Sequence, residues 1–185
     1  MTEGFRAGMP GNTVLGTVLV SEAVVLGQGN RFYPGVVIEC RGAGRIVLGD
    51  GNVFWPGTVI LAEAGSIVIG DSNAFGPGGC TLALDAGGGE IAIGDGTRLR
   101  EGVVLLRGCH VGHGGQVLGP VQATDCRLGS GAPHSDSDPA ARGGVLKGVG
   151  RARGLVVGRG EVILGEGRFD QRDLVSQLVF HPPGF

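Results

Sequence analysis

Residues Val59–Asn73 read VILAEAGSIVIGDSN: an aliphatic run, a small acidic corner, a second aliphatic run and a Gly-Asp turn. The same order recurs upstream as VIECRGAGRIVLGDGN over Val37–Asn52 and downstream as TLALDAGGGEIAIGDGT over Thr81–Thr97. A fainter copy, TVLVSEAVVLGQGN, occupies Thr17–Asn30. The glycines closing the second aliphatic run are Gly27, Gly49, Gly70 and Gly94, spaced 22, 21 and 24 residues apart. A repeat of this length predicts stacked, near-identical units that share one continuous core, a solenoid.

Each repeat carries a finer period of six. Leu26, Phe32 and Ile38 are six apart, as are Leu48, Phe54 and Ile60, and again Ile93, Leu99, Leu105 and Val111. Side chains alternate across extended chain, so a period of six predicts short strands separated by corners, three sides to a turn. The pairs Val24/Leu26, Ile46/Leu48, Ile67/Ile69 and Ile91/Ile93 then point inward, and Val25, Val47, Val68 and Ala92 point out. Gly49, Gly70 and Gly94 are expected to take positive φ at the corners, with Asn30, Asn52 and Asn73 as further positive-φ residues.

A second corner is equally regular: Phe32-Tyr-Pro-Gly, Phe54-Trp-Pro-Gly, Phe75-Gly-Pro-Gly and Leu99-Arg-Glu-Gly. Pro-Gly fits a tight turn, and the three Phe rings are expected to stack inside. Tyr33 and Trp55 follow the inward Phe and so point outward in neighbouring coils. They suit an interface, as exposed aromatics are enriched there, or a contact with a flanking loop or the N-terminal segment.

Composition narrows the function classes. Fifteen basic groups against seventeen acidic ones provide no field for nucleic acid or an anionic membrane. Forty glycines accompany 42% apolar residues, which excludes a disordered Gly-rich tract, and no glycine recurs every third residue as collagen requires. No signal peptide or membrane-spanning run is visible, so a cytoplasmic location is expected. Cys40, Cys80, Cys109 and Cys126 are scattered without a CxxC and read as small buried thiols.

On these residues the chain resembles the hexapeptide-repeat, left-handed parallel β-helix superfamily, trimeric-transferase-like, from roughly Val14 to Gly165. The resemblance implies an all-β, single-stranded, three-sided solenoid of about six to seven coils. Its left hand comes from the resemblance alone, because parallel crossovers are ordinarily right-handed. Extra residues such as Ala62–Ser66 then form a ridge along one edge. The division is a β-helix over 1–167, with a protruding, mobile loop at 129–144, and a C-terminal α-helix and tail over 168–185. That helix rests on the apolar spacing of Leu174, Val175, Leu178 and Val179, with Asp170 as N-cap and Pro182-Pro183 as its end.

The histidines are His110, His113, His134 and His181. Val111-Gly112-His113 resembles the corner in which γ-class carbonic anhydrases of this superfamily hold a metal. The position of their next ligand is Leu118, and no His precedes His110. A catalytic zinc needs about three protein ligands, so no metal is expected. Superfamily acyltransferases use a His as general base, which makes His113, His110 or His134 the candidates for an acyl-CoA-dependent transfer, with Asp136 or Asp138 orienting one of them and acetyl-CoA as donor. Gly94-Asp-Gly-Thr-Arg98 is a coil corner and not a phosphate loop.

A narrower resemblance lies in Ala62-Glu-Ala-Gly-Ser-Ile-Val-Ile-Gly70, flanked by Ile60 and Asn73, and in the later Cys126-Arg-Leu-Gly. It is to the smaller hexapeptide-repeat subunit of the dynactin pointed-end complex, which is non-catalytic and acts in assembly. It implies a scaffold that uses no cofactor and meets a protein partner, or itself, through its outer faces. The expected contact residues are Val25, Val47 and Val68 on one side and Tyr33 and Trp55 on the next.

Overall fold

The computed structural model describes Phe5 and residues 8–181. The chain is nearly all β. Its short strands pair in parallel with the strand one repeat away, which sorts them into three stacks.

The first stack contains Thr13–Val14, Arg31–Phe32, Val53–Phe54, Ala74–Phe75, Arg98–Arg100 and Gln116–Leu118. The second contains Leu19–Val20, Val37–Cys40, Thr58–Ala62, Cys80–Leu84, Val103–Leu105 and Val121–Thr124. The strand Val145–Arg153 then pairs with both, through Val145–Lys147 on the first and Gly150–Arg153 on the second, and joins them into one sheet. It turns between them at Gly148 and Gly150, at φ of 133° and 135°. A Cβ on either glycine would collide with the carbonyl of Gly165 or Gly167 on the next strand, Glu161–Arg168. The third stack is a separate seven-stranded sheet: Val25–Leu26, Arg45–Leu48, Ser66–Ile69, Glu90–Ile93, Cys109–Val111, Arg127–Leu128 and Val156–Val157.

The period of six is the inward register of these stacks. Phe32, Phe54 and Phe75 are fully buried, with ring centroids 5.0 and 4.9 Å apart and nearly parallel planes. Ile38, Ile60, Leu82 and Leu105 line the second stack, and Leu48, Ile69, Ile93 and Val111 the third, all buried. Leu26, at the end of the third stack, is only partly buried against this core. The extra residues at 41–44 and 63–65 lie over one another: the Arg41 amide donates to Ala62 O at 2.8 Å and the Glu63 amide to Leu84 O at 2.9 Å. They form the expected ridge.

The corner glycines and asparagines work differently from the expectation. Positive φ falls at Gly29, Gly51, Ser72 and Gly96, and not at Gly49, Gly70, Gly94 or the asparagines. Gly70 is needed for space, since a Cβ there would lie 2.9 Å from Gly94 O. Asn30, Asn52 and Asn73 are buried and form a ladder. Asn12 Oδ1 accepts the Asn30 amide, Asn30 Oδ1 the Asn52 amide, and Asn52 Oδ1 the Asn73 amide, at 2.8–2.9 Å. Thr97 closes the series, donating from both its amide and its hydroxyl to Asn73 Oδ1. Each of Asn12, Asn30 and Asn52 also donates to a glycine carbonyl of the next coil at 3.0 Å. For Asn30 and Asn52 the buried amide side chain is tolerated because donor and acceptor are both paired, whereas Asn73, at the end of the ladder, accepts through Oδ1 and has no partner for its Nδ2 among the described residues.

The expected C-terminal α-helix does not form. Asp170 does cap a turn, accepting from the Arg172 amide, but the turn is a 3-10 segment over Gln171–Asp173. Leu174–Ser176 then runs as a strand antiparallel to Glu161–Arg168, and a second 3-10 turn covers Gln177–Val179. Glu161–Arg168 presents an unpaired edge to this segment, and β-branched Val175 pairs with Val162 there. Pro182 and Pro183 lie outside the described residues. The 129–144 segment does leave the stacks, yet it is fastened: the Ala132 amide donates to Ala141 O at 2.7 Å, and the Arg142 guanidinium donates twice to Asp136 O at 2.9 and 2.7 Å.

Candidate functional site

The corner that follows the third stack carries the most regular polar chemistry. Gln28 donates its amide to Asp50 Oδ1, Asp50 to Asp71 Oδ1 and Asp71 to Asp95 Oδ1, at 2.7–2.8 Å. His113 occupies the next position. The Asp95 amide donates to His113 Nδ1 at 3.0 Å, and the His113 amide donates to Ser130 Oγ at 3.1 Å. Three carboxylates, an imidazole and a hydroxyl thus perform one backbone-tying task. With Nδ1 as acceptor, the neutral ring carries its proton on Nε2. Asp95 Oδ2 also lies 3.0 Å from Nδ1, and both side chains are half exposed, at 58% and 50%.

His113 and Asp95 share an open groove with His134, which reaches it from the 129–144 segment. His110 is elsewhere, on the outer surface of the third stack between Ala92 and Arg127. Asp136 and Asp138 accept from backbone amides within their own loop, at Asp138 and Ala140. Among the described residues no group of three His, Cys, Asp or Glu side chains is placed to hold a metal ion. All four cysteines are free and buried. Burial pushes the Cys80 thiol up to about 12, against a smaller opposing effect from its hydrogen bond with Thr58. The hydrogen bond between Cys109 and Cys126 raises the Cys109 thiol, with burial adding to it, and lowers that of Cys126 against the effect of burial.

The third stack has the apolar column expected of it. Val25, Val47, Val68 and Ala92 are in register, followed by His110, Arg127 and Val156. Val25 is 53% exposed, Val68 36% and Val156 57%. Val47 and Ala92 are half-buried, and Gln171 of the C-terminal segment bonds the amide and carbonyl of Val156 at the end of this stack. Tyr33 and Trp55 stack on each other at 4.5 Å with planes 9° apart, and both are half-buried. Trp55 lies over Gly76, where a Cβ would come within 2.5 Å of the Trp55 Cβ. The aromatic pair is therefore largely satisfied within the chain.

One cleft lies outside the sequence expectations. It is about 450 Å³ and sits on the outer surface of the first stack, roofed by the 129–144 and C-terminal segments. Arg98, Gln116, Val145 and Val162 form its floor in one register, and Leu118, Lys147 and Leu164 in the next. His134, Arg142, Gln177 and Phe180 roof it. Alternation around the inward Leu99, Val117 and Leu146 is the signal that puts Arg98 and Lys147 on this surface, while nothing in the chain order indicates the roof.

No protein family, no curated protein and no solved structure matches the chain. Among the described residues no helix is long and apolar enough to cross a membrane. The fold defines a parallel β-solenoid, and the function has to be read from its surfaces.

Proposed function

We propose that the chain is a non-catalytic scaffold, a left-handed hexapeptide-type β-helix of six to seven coils that assembles with a second copy of itself through the third stack. The observation that carries this reading is the apolar column Val25–Val47–Val68–Ala92, exposed at Val25 and Val68 and half-buried at Val47 and Ala92, since an exposed apolar patch ordinarily marks a contact. The local resemblance of Ala62–Gly70 to an assembly subunit supports the same class.

Charge placement selects the partner. Two such sheets face to face, with solenoid axes antiparallel and Ala92 at the centre, oppose Val25 with Val156, Val47 with Arg127 and Val68 with His110, and set Glu90 of one copy beside Glu90 of the other. Along the edge that precedes these strands, Arg45 of one copy then meets Asp125 of the other, and Glu22 meets Arg153. All four are exposed. The two edge pairs of opposite charge are what a two-fold interface uses to set its register.

The Val47→Lys/Val68→Lys variant tests it: light scattering should return a folded monomer from a dimeric parent, while Trp55→Ala leaves the dimer intact. A monomeric parent, or a variant that remains dimeric, contradicts the reading.

A second reading, acyl transfer, is favoured by the His113–Asp95 pair in a groove shared with His134. For His113 to act as general base its ring proton would have to move from Nε2 to Nδ1, where Asp95 Oδ2 at 3.0 Å would orient it and Nε2 would be free. Acetyl-CoA at a hundred times its dissociation constant should stabilise a binder by roughly 2.7 kcal/mol, so the absence of a thermal shift at millimolar acetyl-CoA removes this reading.

A further inference from the structure

We propose that the cleft on the first stack binds a small amphipathic acid, an apolar body ending in a phosphate or carboxylate. The cleft is on a different surface from the proposed self-association and does not depend on it.

The charge at the cleft is one-sided. Arg98, Arg142 and Lys147 line it together with His134 and His181, and no Asp or Glu does. Only Arg142 is anchored by strong bonds, both to a backbone carbonyl; Arg98 has a single 3.5 Å contact to Gln116, and Lys147 is exposed. Arg100, one residue beyond Leu99 on the same strand, has a buried Nε with no partner. Burial and the charge of Arg100 hold the Arg98 guanidinium below its usual range, the effect of Glu101 being smaller and opposite. His134 is also lowered, first by burial and then by Arg98, Arg142 and Arg100. Like charges gathered on a partly desolvated surface repel one another, and an anion seated among them relieves that repulsion.

The apolar half is equally incomplete. Leu164 and Phe180 line the cleft yet are each 50% exposed, and Leu118 lies between the cationic rows. An aliphatic or aromatic body would cover them while its acid group reaches Arg98 and Lys147. The volume lies within the range of small-ligand sites. The roof is fixed, because Gln177 Nε2 donates to Gly143 O at 2.8 Å and to Glu161 O at 3.1 Å and so ties the C-terminal segment to the loop. The cleft is therefore formed before any ligand arrives.

The test is isothermal titration of the full chain with octyl phosphate, octanoate, octanol and octyltrimethylammonium. At least one of the two acids should bind one-to-one, tighter than about 0.1 mM, and the neutral and cationic compounds at least tenfold more weakly. Which acid binds identifies the head group. Added salt should weaken binding. Arg98→Gln and Lys147→Gln should each reduce affinity about tenfold while circular dichroism stays unchanged. If Arg98→Gln does not fold, Lys147→Gln and the salt dependence decide. No binding of either acid, equal binding of octanol, or affinity unchanged in the folded variants overturns the proposal.

Discussion

Asn52 shows how a polar residue can stabilise an apolar solenoid. Its side chain accepts from the Asn73 amide and donates to Gly70 O, while its own amide donates to Asn30 Oδ1. Asn52→Ala removes the first two bonds and leaves a buried N–H unpaired. A loss of about 2–4 kcal/mol is expected in chemical denaturation, since a stranded buried donor or acceptor costs about 1–3 kcal/mol; a loss under about 0.5 kcal/mol would show that the ladder is dispensable. His113 gives a sharper comparison. Its bond to the Asp95 amide is the one Asp50, Asp71 and Asp95 make in earlier coils. His113→Asp should hold stability within about 0.5 kcal/mol, and His113→Leu should lose about 1 kcal/mol. Equal losses from both would mean the ring, and not its acceptor atom, is what the corner needs.

At the scale of elements the aromatic stack is the largest single store of packing. Phe54 has a ring on either side at about 5 Å, so Phe54→Ala opens a cavity between two coils that the backbone ladder prevents from collapsing. A cost of about 3–5 kcal/mol is expected, measured by urea titration, and a cost below 1 kcal/mol would contradict this packing. The stack, the period of six and the outward valines were legible in the sequence because inward and outward positions alternate regularly along the strands through Val111, with Leu26 at the open end the one partly exposed member of the six-residue series. The corners were less legible. Asparagine has a strong local preference for turns, and only the stacking of coils shows that Asn30, Asn52 and Asn73 point inward. The tail misled for a related reason. Leu174, Val175, Leu178 and Val179 satisfy a helical spacing, but the spacing does not register the open edge of Glu161–Arg168, which takes Leu174–Ser176 as a strand. Gln177, a polar residue on the outside of that expected helix, is instead buried and holds the cleft roof.

Over the whole molecule, charge is segregated along the solenoid. Through Asp95 the chain carries four basic and nine acidic side chains; from Arg98 onward it carries eleven basic and eight acidic. The near-neutral total conceals this, which is why composition alone gave no hint of a basic cleft or of a polar axis. In the proposed antiparallel pair of solenoids the acidic half of one copy lies against the basic half of the other. Cross-linking tests this arrangement most directly. The native thiols are all buried, so a Val25→Cys/Val156→Cys variant presents new cysteines at the two ends of the third stack. Under mild oxidation it should form a covalent dimer of twice the 18.7 kDa chain mass, whereas Val25→Cys alone and Val156→Cys alone remain uncross-linked. No covalent dimer from the double variant, or efficient cross-linking of either single variant, would contradict the antiparallel scaffold.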